Sequence, residues 1–350
     1  MNKTADLTID RMPSITWRWL KLNDRHVKVT TDGTAAEASV TAPEAFSVNQ
    51  EAFPEVEGGA GTQFETFLQD AEAEVFSVAA GVQEDQPARL NFDFKSGAYT
   101  ENKYGVVLGD HAKATFIMDF RSDKDAEGSA GLQTSIQLGS NANLTFVQIH
   151  RAGDRFHIIN DVGAELGEKA QLQIIHVIFS GKETDIGTKV VLKGDDASYD
   201  CQVGYLVEKD HRVDLNYTTP YIGKRGASNL AVSGVLRDEA KKIFRGTIDF
   251  KRGCEDSTGD ENENVLLMDD HVVNQSVPVI LCDEENVEGN HGASIGKLDD
   301  SLLFYLESRG IAYDDIYEMM AKAKLESVFA RIPDEDTVNE LREFTEGAAL

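Results

Sequence analysis

The sequence contains little cysteine. Only three of its 350 residues are cysteines, Cys201, Cys254 and Cys282, and they lie far apart. No CxxC motif and no Cys/His pair at zinc spacing is present, so we expect no structural zinc site. A sparse and odd set of cysteines in a chain of this size is typical of reduced thiols, which predicts a cytoplasmic protein.

Long apolar runs are missing as well. No uninterrupted apolar stretch approaches the roughly 18 residues that a membrane-spanning helix needs. Charged side chains are scattered through the first 20 residues, from Lys3 to Arg18, and no apolar segment follows a basic start. We therefore expect neither a secretory signal nor a contact with membranes.

Basic residues are in the minority. The chain has 34 lysines and arginines against 61 aspartates and glutamates, which gives a net charge of −27. Such a polyanion repels nucleic acids and anionic membranes, so we expect no nucleic-acid partner. Hydrophobic residues make up 41% of the chain and charged residues 27%. These values are typical of a globular protein with one large domain or two to three smaller ones.

Motifs of enzyme active sites are also absent. The segment Gly292–Lys297 resembles a phosphate-binding loop, but it is one residue short, and Leu298 stands where Ser or Thr would hold magnesium. The glycines at 58, 59 and 61 do not form GxGxxG, and GxSxG, HExxH and EF-hand patterns do not occur. No pair of carboxylates stands out by its spacing. The sequence therefore predicts a protein without catalytic activity.

A repeated pattern of short β segments runs through residues 74–290. Four copies consist of an apolar strand, a Gly-x-x-Ala turn and a second strand: VVLGDHAKATFIMDF, IQLGSNANLTFVQIH, AELGEKAQLQIIHVI and VVLKGDDASYDCQVG. Their glycines, spaced about 27 to 30 residues apart, are Gly109, Gly139, Gly167 and Gly194. SGVLRDEAKKIFRGTIDF is a looser fifth copy with Arg237 in the glycine position.

This repeat predicts a mainly β fold of the β-solenoid type. Each copy is too small to bury its own apolar face, so the copies must stack on one another. We expect the glycine to supply a special backbone angle at a corner and the alanine to fill the tight inside of the turn. Without WD or kelch signatures, a solenoid is preferred over a propeller or a sandwich. Chance similarity among β-hairpins is the alternative.

The two ends of the chain have different patterns. Residues 1–73 form a mixed, partly helical region, with a helix predicted from about Gln63 to Glu74 that places Phe64, Phe67 and Leu68 on one face. Trp17 and Trp19 are expected to pack in the core. Residues 74–298 are the predicted β-solenoid.

Residues 299–350 form a predicted helical region. Helices are expected at Ser301–Arg309, at Tyr313–Arg331 and from Asp334 onward, with Pro333 ending the second of them. Their apolar stripes either cap the solenoid or dock a partner. The residues predicted to bind a partner are Leu302, Leu303, Ile316, Met320 and Phe329.

His291 is the strongest candidate for a site residue. Cys282 lies nine positions upstream, across an acidic turn. Imidazole and thiolate groups are ligands for soft or borderline metals, including the iron of iron–sulfur clusters. One His and one Cys do not complete such a site, so a histidine hydrogen-bonded at the last corner of the solenoid is the competing interpretation.

The stretch from Phe244 to Ala312 carries a family resemblance. It contains FRGTIDFKRG, NVLLMDD and VPVILCDEENVEGNHGASIGKLDDSLLFYLESRGIA. These segments resemble the SufB/SufD family of iron–sulfur cluster assembly proteins. SufB-type chains carry Glu after the motif histidine, whereas Gly292 follows His291 here, so the chain looks more like SufD.

The resemblance implies a right-handed parallel β-helix between small helical regions. It implies a non-catalytic scaffold subunit of a cytosolic SUF-type complex, bound to a SufC-like ABC ATPase through the C-terminal helices. It also implies pairing with a SufB-like subunit, with His291 at an interface that holds a transient iron–sulfur cluster. The isolated chain would then carry no cofactor. The alternatives are a minimal homodimeric scaffold, which pairs with a second copy of itself, and a β-solenoid enzyme that acts on polysaccharides.

Overall fold

Two nine-stranded sheets dominate the computed structural model, which describes residues 3–14, 17–179 and 181–347. Strands β5 to β20 alternate between the two sheets, and neighbours within each sheet are parallel. Each turn of the chain thus adds one strand to each sheet, which is the architecture of a parallel β-helix. The predicted mainly β solenoid is confirmed.

The elements have the following bounds. The strands are β1 (Lys3–Ile9), β2 (Arg25–Thr31), β3 (Ala38–Thr41), β4 (Phe46–Val48), β5 (Ala73–Val78), β6 (Ala88–Phe94), β7 (Tyr99–Leu108), β8 (Lys113–Ser122), β9 (Glu127–Leu138), β10 (Asn143–Arg151), β11 (Arg155–Leu166), β12 (Gln171–Ile178), β13 (Glu183–Leu192), β14 (Ser198–Val207), β15 (Arg212–Tyr221), β16 (Ala227–Leu236), β17 (Lys241–Phe250), β18 (Ser257–Leu267), β19 (Val273–Cys282) and β20 (Val287–Gly296). The helices are α1 (Thr62–Phe67), α2 (Asp300–Ser308), α3 (Tyr313–Phe329) and α4 (Glu335–Gly347).

The core of the β-helix is built from side chains stacked in register from turn to turn. One such row consists of Phe116, Phe146, Ile174, Cys201 and Leu230, on five consecutive strands of one sheet. All five are buried in a single apolar cluster that fills the lumen. Because alternate residues of a strand face opposite sides of the sheet, a period of two in the sequence supplies these rows.

At the corners of the β-helix, the predicted role of the alanine is confirmed and the predicted role of the glycine is wrong. The alanines of the four Gly-x-x-Ala turns are fully buried, as expected, at Ala112, Ala142, Ala170 and Ala197. The left-handed backbone angle, however, belongs to the residue just before each alanine, at His111, Asn141, Lys169 and Asp196. The glycine is instead required by close packing, because a Cβ atom at Gly194 would lie 2.2 Å from the backbone nitrogen of Glu168 in the turn beneath.

The looser fifth copy lies at the other corner of the β-helix. It joins β16 to β17, whereas the first four copies each join an odd-numbered strand to an even-numbered one. Asp238 has the positive φ there, and Ala240 is buried. Both corners need a small inward side chain, which explains why the two turns look alike in sequence.

The N-terminal region covers one end and one flank of the β-helix. Strands β3 and β4 pair antiparallel with β6 and β5, so they close the sheets at that end. Hairpin β1–β2 and helix α1 pack together on the outer face of the odd-numbered sheet. Helix α1 is shorter than predicted, but Phe64, Phe67 and Leu68 are buried as expected.

The two tryptophans behave differently from each other. Trp17 is partly buried against Met12 and Leu22, in agreement with the prediction of packing. Trp19 is 83% exposed, so the prediction that it packs in the core is wrong. It lies in a single turn of 3-10 helix, Arg18–Leu20, in which no residue is buried.

The C-terminal helices pack on the outer face of the even-numbered sheet. Ile117, Val147 and Ile175 of that sheet meet Leu325 and Phe329 of α3 in one apolar cluster. The observed bounds of α2 and α3 follow the predicted ones within two residues. Among the described residues, no helix has both the length and the apolar character needed to cross a bilayer.

Candidate functional site

His291 and Cys282 both lie at the end of the β-helix that the C-terminal strands form. His291 is in the middle of β20, and Cys282 is the last residue of β19. Each of these strands has a single neighbour within the described residues, β18 and β17 respectively. The competing interpretation of a corner histidine is therefore wrong, since His291 belongs to an exposed edge strand.

The register of β20 turns His291 toward the lumen. His291 is aligned with Glu261 of β18, and Glu261 is a buried lumen residue whose carboxylate lies against Gly246 of β17. Residues in register on parallel strands share a face. Gly289, two positions before His291, also faces the lumen, where an added Cβ would lie 3.0 Å from the ring of Phe250. His291 is exposed, since among the described residues no further turn of the β-helix covers it.

Cys282 faces the lumen at the same end of the β-helix, from the opposite sheet. It is in register with Phe250, a buried core residue of β17. The thiol is exposed, and its Sγ donates to the carbonyl oxygen of Glu284 at 3.0 Å. The structure thus brings both predicted ligands to one end of the molecule. Within the described residues they belong to no group of three or more potential metal ligands.

The other two cysteines are poor ligands where they stand. Cys201 is buried in the core, and burial raises the pKa of its thiol to about 12. Cys254 is also buried, and burial followed by the field of Glu284 raises the pKa of its thiol. A thiol that stays protonated does not bind metal, because the thiolate is the ligand. Cys282 is therefore the one accessible thiol of the three.

Charged side chains that the sequence pattern did not predict lie in the lumen directly below His291. Lys242 of β17 forms a fully buried ion pair with Glu263 of β18. The Lys242 Nζ also donates to Ser276 Oγ at 3.1 Å and to the carbonyl oxygen of Gln275 at 3.3 Å. These bonds compensate part of the cost of burying an ammonium group. Burial nonetheless lowers the pKa of Lys242.

Glu261 shares this part of the lumen. Burial, and then the neighbouring charge of Glu263, raise the pKa of its carboxyl to about 8, while Lys242 acts in the opposite direction. Glu261 is therefore mostly protonated at neutral pH. The alternation in Gly259–Val265, GDENENV, is the signal that could have revealed these residues. Acidic side chains there take the positions that apolar residues hold in the other strands.

The predicted partner-binding residues divide into two sets. Ile316 and Phe329 are buried, and Phe329 packs with the partly buried Leu303 and Met320 in the apolar cluster between the helices and the even-numbered sheet. Burial leaves Ile316 and Phe329 no surface to offer a partner, so the prediction is corrected for these two. Leu303 and Met320 are only partly covered, and their role in binding a partner stays a prediction. Leu302 is 37% exposed and remains available.

The exposed apolar face of α2 was not predicted. Phe304 is 74% exposed and Tyr305 is 52% exposed, next to Leu302. Asp299 caps this helix by accepting from the backbone nitrogens of Ser301 and Leu302. The cap holds the first turn in place, so the aromatic side chains stand on a well-formed helix.

Comparison with known proteins places most of the chain in one family. Residues 94–324 match the SufBD core domain of the SUF system for FeS cluster assembly. The chain is similar to the iron–sulfur cluster assembly protein SufD of Bacillus subtilis, with 24% identity over 240 residues that cover 67% of this chain and 54% of that protein.

Two further relatives agree. Identity to SufD of Escherichia coli is 25% over 225 residues, which cover 63% of this chain and 52% of the relative. Identity to a SufBD family protein of Pyrococcus horikoshii is 24% over 205 residues, which cover 59% of this chain and 46% of that protein. The chain spans about half the length of these relatives. With the β-helix and the family match in agreement, the chain belongs to the SufB/SufD family and is most like SufD.

Proposed function

We propose that this protein is a scaffold subunit of a SUF-type iron–sulfur cluster assembly complex. The observation that carries the proposal is the open end of the β-helix, where His291 and Cys282 face the lumen from the two sheets. The names of the relatives support the process, since SufD proteins are iron–sulfur cluster assembly proteins. The accessible free thiol fits the reducing cytoplasm.

The open end provides the interface for a second β-helix. The outer edges of β19 and β20 present backbone N–H and C=O groups without strand partners in the described part of the chain. Such edges pair readily with another strand or are covered by another chain. The partner is a SufB-like subunit, or a second copy of this chain in a minimal homodimer. The opposite end is closed by the antiparallel strands β3 and β4.

His291 acts at that interface as a ligand to iron of a transient cluster. The cluster is the cargo of the complex, and His291 with Cys282 supplies fewer ligands than the four that a cluster commonly takes. The partner chain therefore contributes thiolates. The carboxyl of Glu261, mostly protonated at neutral pH, adds little negative charge beneath His291.

The exposed face of α2 docks a SufC-like ABC ATPase. Leu302, Phe304 and Tyr305 offer an apolar surface with two aromatic side chains, and aromatic residues are common anchors of protein interfaces. The test is a pull-down of the ATPase with the full chain carrying Phe304→Ser and Tyr305→Ser. We expect binding to fall at least about tenfold. Trp19→Ser, which removes an exposed aromatic elsewhere, is the matched control, and equal losses in both proteins would refute this docking site.

The role of His291 is tested by anaerobic cluster reconstitution with the ATPase and the SufB-like chain. His291→Ala should leave complex formation and melting temperature nearly unchanged while cluster formation falls sharply. Ser294→Ala, on the outward face of the same strand, is the control and should behave like wild type. Normal cluster formation by His291→Ala would remove the ligand role, and loss of the complex would make the role structural. Cluster formation by this chain and the ATPase alone would establish the homodimeric form.

The polysaccharide-active solenoid is the rival from another class. It predicts that the purified chain cleaves acidic glycans, whereas the scaffold predicts no turnover. Robust cleavage in a screen of such glycans would overturn the scaffold proposal.

A further inference from the structure

A cluster of buried charges lies beneath the N-terminal segment, on the flank of the β-helix and away from its open end. Asp185 of β13 and Asp214 of β15 are neighbours in register on the outer face of the odd-numbered sheet. Asp10, directly after β1, covers them and is fixed by its backbone nitrogen, which donates to the carbonyl oxygen of Ala60 at 3.2 Å. Three segments that are distant in sequence therefore meet here.

The three carboxylates converge on one point. Each offers an oxygen atom, and these atoms lie within 4.8 Å of one another. All three side chains are buried, with no more than 1% of any residue exposed. Oxygen ligands about 2.1 to 2.5 Å from a shared cation can be separated by up to roughly 5 Å, so this spacing suits a single ion.

Asp10 differs from the other two in having no partner. Asp185 accepts from Arg25 Nε at 3.2 Å and contacts His157 Nε2 at 2.6 Å. Asp214 pairs with the fully buried Arg245 and with Arg212. Neither oxygen of Asp10 has a hydrogen-bond partner in the part of the chain that the structure describes.

An unpaired buried carboxylate is costly, and a proton or a cation can remove the cost. Burial, followed by the fields of Asp214 and Asp185, holds the pKa of Asp10 well above its usual range. A cation is favoured because three carboxylates from three separate segments face one another, and because hard oxygen ligands suit Mg²⁺, Ca²⁺ and Mn²⁺.

We propose that Asp10, Asp185 and Asp214 bind a hard divalent cation that fastens the N-terminal hairpin β1–β2 to the flank of the β-helix. The site is independent of the proposed assembly function, because it shares no residue with the open end or with α2. Without the ion, Asp10 must take up a proton or move out of its position. The hairpin is then held more weakly by the apolar contacts that remain beneath it.

The test uses the full chain, freed of metal with a chelator, and Mn²⁺ as the probe. Equilibrium dialysis and electron paramagnetic resonance should detect one bound Mn²⁺ per chain, with a rise in melting temperature. Asp10→Asn should weaken binding at least about tenfold and abolish the rise. Asp6→Asn removes the same charge from an exposed position on the same hairpin and should behave like wild type.

Two results would overturn the proposal. One is the absence of stoichiometric Mn²⁺ binding by wild type, which would leave Asp10 simply protonated. The other is equal Mn²⁺ affinity in Asp10→Asn and Asp6→Asn. If Asp10→Asn fails to fold, the proposal is tested instead by limited proteolysis of the wild-type protein with and without Mn²⁺. The cut sites are mapped by mass spectrometry. Mn²⁺ must slow cleavage within residues 3–31 and leave cleavage in α4 unchanged, and a lack of this local protection refutes the site.

Discussion

His291 is aligned in register with Glu261, so an exposed imidazole at the edge of the β-helix stands on the same face as a buried carboxyl one turn below. The pair marks the boundary between the closed lumen and the open end. Below it the lumen holds the Lys242–Glu263 ion pair.

Glu261 should make the stability of the protein depend on pH. Its pKa is raised from 4.5 to about 8 in the folded state, so it contributes stability below pH 4.5 that is lost as the pH rises through about 8. At about 1.4 kcal/mol per pH unit between 4.5 and about 8, the loss is on the order of 5 kcal/mol. Glu261→Gln should remove this part of the decline in the free energy of unfolding between about pH 5 and pH 9.

The measurement is denaturant unfolding across that pH range. Glu288→Gln, an exposed glutamate on β20, is the matched control and should follow wild type. Burial also raises the pKa of Asp161 to about 8, so Asp161 still lowers the free energy of unfolding with rising pH in both variants. The same pH slope in Glu261→Gln and wild type would contradict the assignment.

The buried ion pair should be strongly coupled. Lys242→Met leaves Glu263 buried without a partner and should cost about 3 to 5 kcal/mol of unfolding free energy. The double change Lys242→Met, Glu263→Met replaces both charges by apolar groups and should recover most of that loss. A double-mutant cycle measured by denaturant unfolding gives the coupling energy. A double variant as unstable as Lys242→Met alone would show that the two charges act separately.

Thiol labelling should distinguish the three cysteines. In the native protein a maleimide or disulfide reagent should react rapidly with Cys282 alone, because Cys201 and Cys254 are buried and the pKa of each of these thiols is raised. In denaturant all three should react. Cys282→Ser should abolish the rapid native reaction, and a second rapid thiol in that variant would contradict the described burial.

Gly194 should tolerate no side chain. An added Cβ would meet the backbone of the turn beneath, at 2.2 Å from the Glu168 nitrogen, so Gly194→Ala must displace main-chain atoms. We expect a loss of about 1 to 3 kcal/mol, as for overpacking in other cores. Gly296→Ala is the control, since nothing lies within 4 Å of its added Cβ. Equal thermal stability of the two variants would contradict the close approach at the corner.

Local pattern in the sequence was enough to predict the architecture. The Gly-x-x-Ala turns recur because every turn of a stacked β-helix meets the same corner geometry, and the buried alanines confirm it. The periods of α2 and α3 placed these helices within two residues of their observed ends. Such features depend on neighbours along the chain, and a sequence records those neighbours directly.

The motif singled out His291, but neither its place in β20 nor the direction of its side chain followed from the sequence. That direction depends on which residue of β18 lies beside it, and pairing across about 30 residues leaves no short-range signal. The same limit applies to Asp10, whose neighbours Asp185 and Asp214 come from strands far along the chain. The burial of Leu325 and Phe329 likewise depends on which face of α3 meets the sheet.

The sequence by itself therefore determined that this protein is a β-solenoid with C-terminal helices and a SufD-like motif around His291. Only the tertiary structure decided that Lys242, Glu261 and Glu263 occupy the lumen, that Trp19 is exposed, and that β19 and β20 leave the end open. The physical reason is that a repeat specifies the shape of each turn. The burial and pairing of a residue depend instead on which residues of the neighbouring turn lie beside it, or on whether a neighbouring turn is present at all.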